Sequence, residues 1–514
     1  MHYPSTSINI AVNSIYMHIK THICFSFLCL FFITSGLMAQ NEIADITIID
    51  LKYGAQQTMR NVYPGKNGYN YVLMSKKDAI STQWSKEKVI LKKIGPDLNF
   101  IEDIPLDFAK YDPENDRNGI WLIHDASFTN YAVWNEYSEN MVTFFSCPIE
   151  DVTAITEIAT VKIIAKNKVQ SVGISNSKAY NAFAIDIVEG DDNLNRTHII
   201  SLDGNLKKRW VQTIEFEGEI TREGYAINES GACLHMFQSN DKKDKKDPDQ
   251  TTLQYTCINP SGQSKQTIRK FGDNDVSPLV VAAGSTLSAV GLRWKIVEGK
   301  TNKDYKMVYS NYRFDFNSES GDLISEMEER IPGSAIIELI DNKSSSLKLQ
   351  HARALEDGSV IALGIANSVS GGRWVTYYNS PVAGGVPQSS YRAPTAYFSG
   401  VVAYHIQPDG IVSTVKTFES NFSVNDFWLM EINPQFSDEN VYFTYMAKGL
   451  DINLVRLKIV DGKMQSAIQP FDREVANGRG IQAHTCSTTN DGSLIAVLSH
   501  PLKQARVAHF DFKE

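Results

Sequence analysis

Residues 357–364 read DGSVIALG, and residues 491–498 read DGSLIAVL. Each is an Asp-Gly pair followed at once by a run of apolar, often β-branched side chains. Asp-Gly marks a tight hairpin, and the pair suits a type I′ turn, whose two central residues both need positive φ. A short apolar run bounded by turn residues is the pattern of a buried strand. Working outward, the same turn-then-strand order recurs at Asn67-Gly68 before YNYVLM and at Ser230-Gly231 before ACLHMF. Looser copies stand near Ser127, Lys178, Gly284 and Asp438. That makes eight copies along the chain.

A second series of turns falls between later strands: Gly95-Pro96-Asp97, Pro148-Ile149-Glu150, Asp203-Gly204, Ser261-Gly262, Ser320-Gly321, Asp409-Gly410 and Asp461-Gly462. One arrangement accounts for both series. Each unit is a four-stranded antiparallel sheet A-B-C-D, the first turn joining A to B and the second joining C to D. Four-stranded units of about 50 residues, buried on both faces, are the blades of a β-propeller. The last unit ends on ARVAHFDF as strand C and lacks a D strand. The stretch Ile43 to Leu51 (IADITIIDL) precedes the first unit and fills that vacancy, closing the ring. Closure removes exposed sheet edges. The expected fold is therefore all-β: a single propeller of eight blades, with seven as the alternative. Two tandem β-sandwiches would need a linker near the middle, and none is read. The best helical pattern, Ala335 to Ile340, is short.

The N-terminal 40 residues form a separate segment. Cys24 to Ile33 (CFSFLCLFFI) is a strongly apolar run of ten residues, preceded by Lys20 and followed by Ser35, Gly36 and Ala39. A basic flank, a short apolar core and a small-residue exit make a signal peptide, since a membrane span needs ~20 apolar residues. Residues 1–40 are thus expected to be a signal peptide and 41–514 the propeller, with an exported, periplasmic or extracellular location and no span in the mature chain.

The full chain of 514 residues has 50 basic against 59 acidic side chains, a net charge of −9. Removing one Lys with the leader leaves 49 against 59, or −10. An acidic balance argues against nucleic acid, which needs a clustered positive field. Four cysteines remain: Cys147, Cys233, Cys257 and Cys486. They are too few for a disulfide-stapled scaffold, so a large core must carry stability. Cys233 and Cys257 flank the loop 240–250 symmetrically. As cross-strand neighbours they could form a disulfide; two buried thiols are the alternative. No Cys/His spacing indicates zinc, and neither Asp191-Asp192 nor the run 241–249 has calcium-loop spacing. No metal and no cofactor is expected. HExxH, Walker A and G-x-S-x-G motifs are absent, and the mature histidines (124, 198, 235, 351, 405, 484, 500, 509) stand isolated in sequence.

Loop length is the informative functional feature. The B–C loops are long in units three to six, above all residues 371–399, GGRWVTYYNSPVAGGVPQSSYRAPTAYFS. This stretch has no acidic residue and offers Arg373, Trp374, Tyr377, Tyr378, Tyr391 and Arg392. Aromatic rings and guanidinium groups stack on sugars or anchor in partner pockets. The alternative is a loop that covers a blade surface with its aromatics buried. Trp294, opening the neighbouring B–C loop, is a secondary candidate.

The chain resembles β-propellers in general over about 470 residues, without a WD, Kelch or similar signature repeated from blade to blade. With its leader ending in Met38-Ala39-Gln40, it also resembles uncharacterised exported propellers of Bacteroidota-like bacteria. That resemblance implies a location rather than an activity. The expected role is a non-catalytic binding or scaffold protein for an extracellular glycan, peptide or protein. The rival is a glycan-active hydrolase or lyase with carboxylates near the propeller axis.

Overall fold

The computed structural model describes residues 43–49, 51, 57–76, 88–106, 120–190, 194–217, 220–241, 250–272, 275–297, 306–331, 346–370, 373–377, 388–392, 395–424, 432, 434–436, 440–447, 452–470, 482–489, 491–500 and 503–513. Residues 1–40, expected to be a signal peptide, and the helical pattern at Ala335 to Ile340 lie outside them.

The described residues form 34 strands and no α-helix. Strand β1 is Ala44–Ile49. Unit 1 holds β2 (Gln57–Pro64), β3 (Asn70–Lys76), β4 (Lys88–Ile94) and β5 (Phe100–Pro105). Unit 2 holds β6 (Ile120–His124), β7 (Asn130–Ser138), β8 (Met141–Pro148) and β9 (Thr156–Lys162). Unit 3 holds β10 (Val169–Asn176), β11 (Ala182–Gly190), β12 (Leu194–Asp203) and β13 (Lys208–Glu217). Unit 4 holds β14 (Ile220–Ile227), β15 (Cys233–Asp241), β16 (Gln250–Ile258) and β17 (Ser264–Gly272). Unit 5 holds β18 (Asp275–Ala283), β19 (Thr286–Val297), β20 (Lys306–Asn317) and β21 (Leu323–Arg330). Unit 6 holds β22 (Ser346–Ala354) and β23 (Val360–Ser370), then an inserted pair, β24 (Arg373–Tyr377) and β25 (Gln388–Arg392), then β26 (Thr395–Ile406) and β27 (Val412–Val424). Unit 7 holds β28 (Gln435–Phe436), β29 (Asn440–Met446), β30 (Ile452–Val460) and β31 (Lys463–Pro470). Unit 8 holds β32 (Gln482–Thr488), β33 (Leu494–His500) and β34 (Lys503–Phe512), with β1 as its fourth strand.

Every unit is a four-stranded antiparallel sheet, and the eight are arranged as a propeller. The described A–B turns and all seven C–D turns fall where the turn residues place them; the turn expected near Asp438 lies outside the described residues. The ring closes as expected: β1 pairs antiparallel with β34, from Ala44 opposite Phe512 to Ile49 opposite Val507. Gln469 of β31 locks the joint. Its side-chain oxygen accepts the Ile43 and Ala44 amides at 2.6 and 2.8 Å, and its nitrogen donates to the Ala44 carbonyl at 2.9 Å.

Strands bury alternate side chains on opposite faces, so each unit offers one apolar face to each neighbour. Eight buried clusters result, one per junction. Phe144 and Val161 of unit 2 meet Phe183 and Ile187 of unit 3. Tyr255 of unit 4 meets Phe314 and Phe316 of unit 5. The junction between units 8 and 1 joins Ile495 and Val507 to Val62 and Met74.

The hairpin chemistry differs from the type I′ expectation at the repeated octapeptides. At Asp357-Gly358, the Leu355 amide donates to the Ser359 carbonyl at 2.8 Å and the Gly358 amide to the Leu355 carbonyl at 3.1 Å. Only Gly358, at φ 80°, is left-handed. This is a type I turn closed by one left-handed residue. Thr489 to Ser493 repeats it, with Gly492 at φ 86°. Asp357 accepts the Ser359 amide and Asp491 the Ser493 amide at 2.9 and 3.0 Å, which holds each Asp out of the positive-φ region. The two-residue turn with both centres left-handed occurs at Asp461-Gly462, at φ 51° and 70°.

Candidate functional site

The stretch expected to be a loop at 371–399 is shorter as a loop and partly ordered as sheet. β23 continues to Ser370 and β26 begins at Thr395. Between them β24 and β25 form a separate two-stranded hairpin, with Arg373 opposite Arg392, Trp374 opposite Tyr391 and Tyr377 opposite Gln388 in backbone register. Five of the six loop candidates thus share one hairpin. Tyr378 lies outside the described residues. Trp294 does not open a loop: it sits within β19, opposite Asp275 and Tyr309, because β19 and β20 extend their pairing to Val297 and Lys306.

The disulfide expectation is corrected. Cys233 and Cys257 are both free and buried. The register pairs Cys233 with Ile258 and Leu234 with Cys257. That one-residue offset turns the thiols to opposite faces, because side-chain direction alternates along a strand. Cys233 packs at the unit 3–4 junction and Cys257 at the unit 4–5 junction. Burial raises both thiols above their ordinary range, Cys257 to about 12.

A cavity of about 760 Å³ opens on the face that carries the A–B and C–D turns. It is built by the A–B turns of units 3 to 6, through Lys178, Asn228, Glu229, Ser285 and Asp357, and by Pro408 of the unit 6 C–D turn. Its floor comes from β20 and β21. Along β20, Tyr312, Phe314 and Phe316 turn into the unit 4–5 core. The alternate residues Arg313 and Asp315 face the other way and are buried, at 4% and 7% exposure. Ser288 and Ser325 stand opposite Asp315 on the two flanking strands. Their hydroxyls donate to Asp315 at 2.5 and 2.9 Å. Arg313 Nε donates to both Asp315 oxygens at 2.8 and 3.1 Å. Arg313 Nη1 donates to the Gln407 carbonyl of unit 6 at 3.1 Å. Among the described residues Nη2 has no acceptor, and the residue lines the cavity.

The rim is held by polar ties between units. Glu229 of unit 4 accepts the Ser177 hydroxyl and the Ala179 amide of unit 3, both at 2.6 Å. Lys178 of unit 3 reaches Glu356 of unit 6 at 3.6 Å, so an exposed ion pair links non-adjacent units. Desolvation pushes the Asp357 carboxyl up, but hydrogen bonds from the Ser359 hydroxyl and amide outweigh it and hold the group below its ordinary value. The lining carries four acids, Glu229, Asp315, Glu356 and Asp357, against two bases, Lys178 and Arg313. Ile324, Met327 and Leu355 add an apolar wall.

Sequence reasoning missed this site. NYRFDFN alternates polar with aromatic, as a strand with one solvated face does, whereas here the polar face is also buried: Ser288 and Ser325 of the same sheet bind Asp315, and the Gln407 carbonyl of unit 6 binds Arg313. A signal was available between repeats. Four and two residues before the C–D turn, unit 3 has Ile199 and Ser201 and unit 6 has Ala403 and His405, where unit 5 has Arg313 and Asp315.

Histidines isolated in sequence are tied in space. In unit 8 the Ser493 hydroxyl lies 2.7 Å from both Asp491 and His509 Nε2, and 2.6 Å from the Thr489 hydroxyl. His198 bridges the fully buried Glu189 and the hydroxyl of Thr213, each at 2.9 Å. Among the described residues no group of three or more His, Cys, Asp or Glu side chains is placed to hold a metal ion.

No family model matches this chain, and no curated protein matches its sequence. Solved structures do resemble it in outline. The polysaccharide lyase Uly1 is 11% identical with a TM-score of 0.43, over 91% of this chain and 92% of that one. The WD40 domain of SCAP from fission yeast is 7% identical with a TM-score of 0.37, over 92% and 96%. Prolyl oligopeptidase B from Galerina marginata is 10% identical with a TM-score of 0.39, over 90% of this chain and 55% of that one.

Proposed function

We propose that this chain is an exported, non-catalytic binding or scaffold propeller that recognises an extracellular glycan, peptide or protein. The observation that supports it is the cavity on the turn face, where a buried arginine keeps one donor nitrogen for a ligand. A pocket of several hundred cubic ångströms with an apolar wall and a few converging polar groups is the ordinary form of a ligand site. The hairpin β24–β25, with Arg373, Trp374, Tyr377, Tyr391 and Arg392, is a second contact surface in this proposal. The export step rests on the leader read from residues 1–40.

The glycan-active hydrolase or lyase reading draws on the same lining, because ionisable groups from four units converge there. A general acid working near neutrality needs a raised carboxyl, and Asp357 moves downward. The test is a glycan and peptide binding screen of residues 41–514, run beside a 376–396 deletion and an Arg313→Lys variant. Ligand retention without product release is expected. Release of product from a polysaccharide overturns the non-enzymatic reading. Equal binding by all three forms overturns both named surfaces.

A further inference from the structure

We propose that the cavity takes an N-acetylated amino-sugar glycan, its acetamido carbonyl accepting from Arg313 Nη2; this rests on the binding reading above. Three features argue for that ligand class. First, the floor lacks an acceptor. Arg313 is 4% exposed, with Nε spent on Asp315 and Nη1 on the Gln407 carbonyl. Nη2 is not among the fully buried unpaired atoms and opens on the cavity, so a ligand oxygen can take the place of water there. Second, the ligand is not an anion. Four acids against two bases surround the opening, and Asp315 already neutralises Arg313. A carboxylate or phosphate entering this field meets net repulsion, whereas a neutral amide carbonyl is a strong acceptor without charge. Third, an apolar surface lies beside the donor. Met327 is the cross-strand partner of Arg313, and Ile324, 58% exposed, stands on the same wall. Directly paired side chains have Cβ atoms ~5 Å apart. An acetamido group carries its methyl one bond from its carbonyl carbon, so the carbonyl meets Nη2 while the methyl meets Met327. The rim then supplies Ser285, Asn228 and Asp357 to ring hydroxyls.

The test is calorimetric titration of residues 41–514 with four oligosaccharide or peptide probes. These are an N-acetylglucosamine tetramer, the same tetramer without acetyl groups, a glucose tetramer and an N-acetylated tetrapeptide. The de-acetylated tetramer is cationic and is favoured electrostatically by the acidic rim, so weaker binding of it isolates the acetyl group. The acetylated sugar is expected to bind at least tenfold more tightly than the other three. Ser285→Trp, an exposed turn position that fills the opening, is expected to abolish binding with an unchanged melting curve. Arg313→Lys, which keeps the charge beside Asp315 but loses the second donor, is expected to weaken binding about tenfold. Equal affinity for acetylated and de-acetylated sugar, or no affinity for either, overturns the inference. Tightest binding of the tetrapeptide also overturns it and leaves the binding reading standing. No binding in this titration or in the broader screen overturns both.

Discussion

Acid should loosen this fold in a pH range where its carboxylates are still ionised, and His351 supplies the measurable part. His351 lies on β22, partly buried, with the Ile432 backbone as its polar neighbour. Desolvation lowers its ionisation from 6.5 to about 4. The sign follows from linkage: the unfolded chain takes up this proton before the folded one does. The stabilisation is therefore complete above about pH 6.5 and is lost progressively as pH falls toward about 4. Between about pH 7.5 and about pH 5 the two ionisation constants give a loss of about 2 kcal/mol from this side chain alone. Residual solvent contact makes that an upper figure. His124, His405 and His509 are also lowered, chiefly by desolvation, and add in the same direction. The carboxylates held below their ordinary value, Asp357 and Asp491 among them, act below about pH 4 and so leave the histidine range clear. The assay is urea unfolding at about pH 7.5 and about pH 5 for the natural chain and for His351→Gln. The variant should lose about 2 kcal/mol less on acidification. If both lose the same amount, His351 does not titrate as its burial requires, and the reasoning fails.

Four further outcomes are expected. Ser493→Ala removes the hydroxyl shared by Asp491, Thr489 and His509 and should cost about 2 kcal/mol in thermal or urea unfolding; a change under about 0.5 kcal/mol would show the network to be dispensable. Gln469→Leu should expose the amides of residues 44–49 to faster hydrogen exchange while those of unit 4 keep their rates, and equal protection in both would remove Gln469 as the lock of the ring. Gly410→Ala places a Cβ 3.1 Å from Met327 Cβ and Sδ at φ 84°, so a loss of about 1 kcal/mol is expected; neutral stability would count against the tight unit 5–6 contact. A reductant should leave the melting midpoint unchanged, since Cys233 and Cys257 are free, and a drop of several degrees would show a disulfide after all.

The architecture was legible because its information is local and repeated. A turn residue followed by an apolar run states a strand start, and eight such statements at similar spacing state a ring. The spare strand at Ile43 to Leu51 and the missing D strand of the last unit even identified the closing pair. Register was less legible. The positions of Cys233 and Cys257 are symmetric about their loop, yet a one-residue offset sends them to different junctions. The cavity was not legible from one strand alone, because Arg313 and Asp315 are held by partners on the flanking strands and on unit 6. Loop composition drew attention to 371–399, where the polar and aromatic residues are consecutive. The turn-face site is assembled from five turns of four units and from the floor strands β20 and β21, and no local stretch contains it.

The joint between β1 and β34 carries a consequence for the order of events in the life of the chain. The Gln469 side chain and the Ala44 backbone that it holds are 425 residues apart in sequence. Until β34, later still than Gln469, has been synthesised, β1 has no strand partner and the flank of unit 1 stays uncovered. Closing so long a loop costs only slightly more entropy than closing a loop of half the length, but contacts this distant form slowly. During that interval an unpaired strand can recruit the edge of another chain. The ring is therefore a clasp fastened last: a free peptide spanning residues 43–51 should compete for the open seat in a chain that is still refolding and should find none in a chain that has closed.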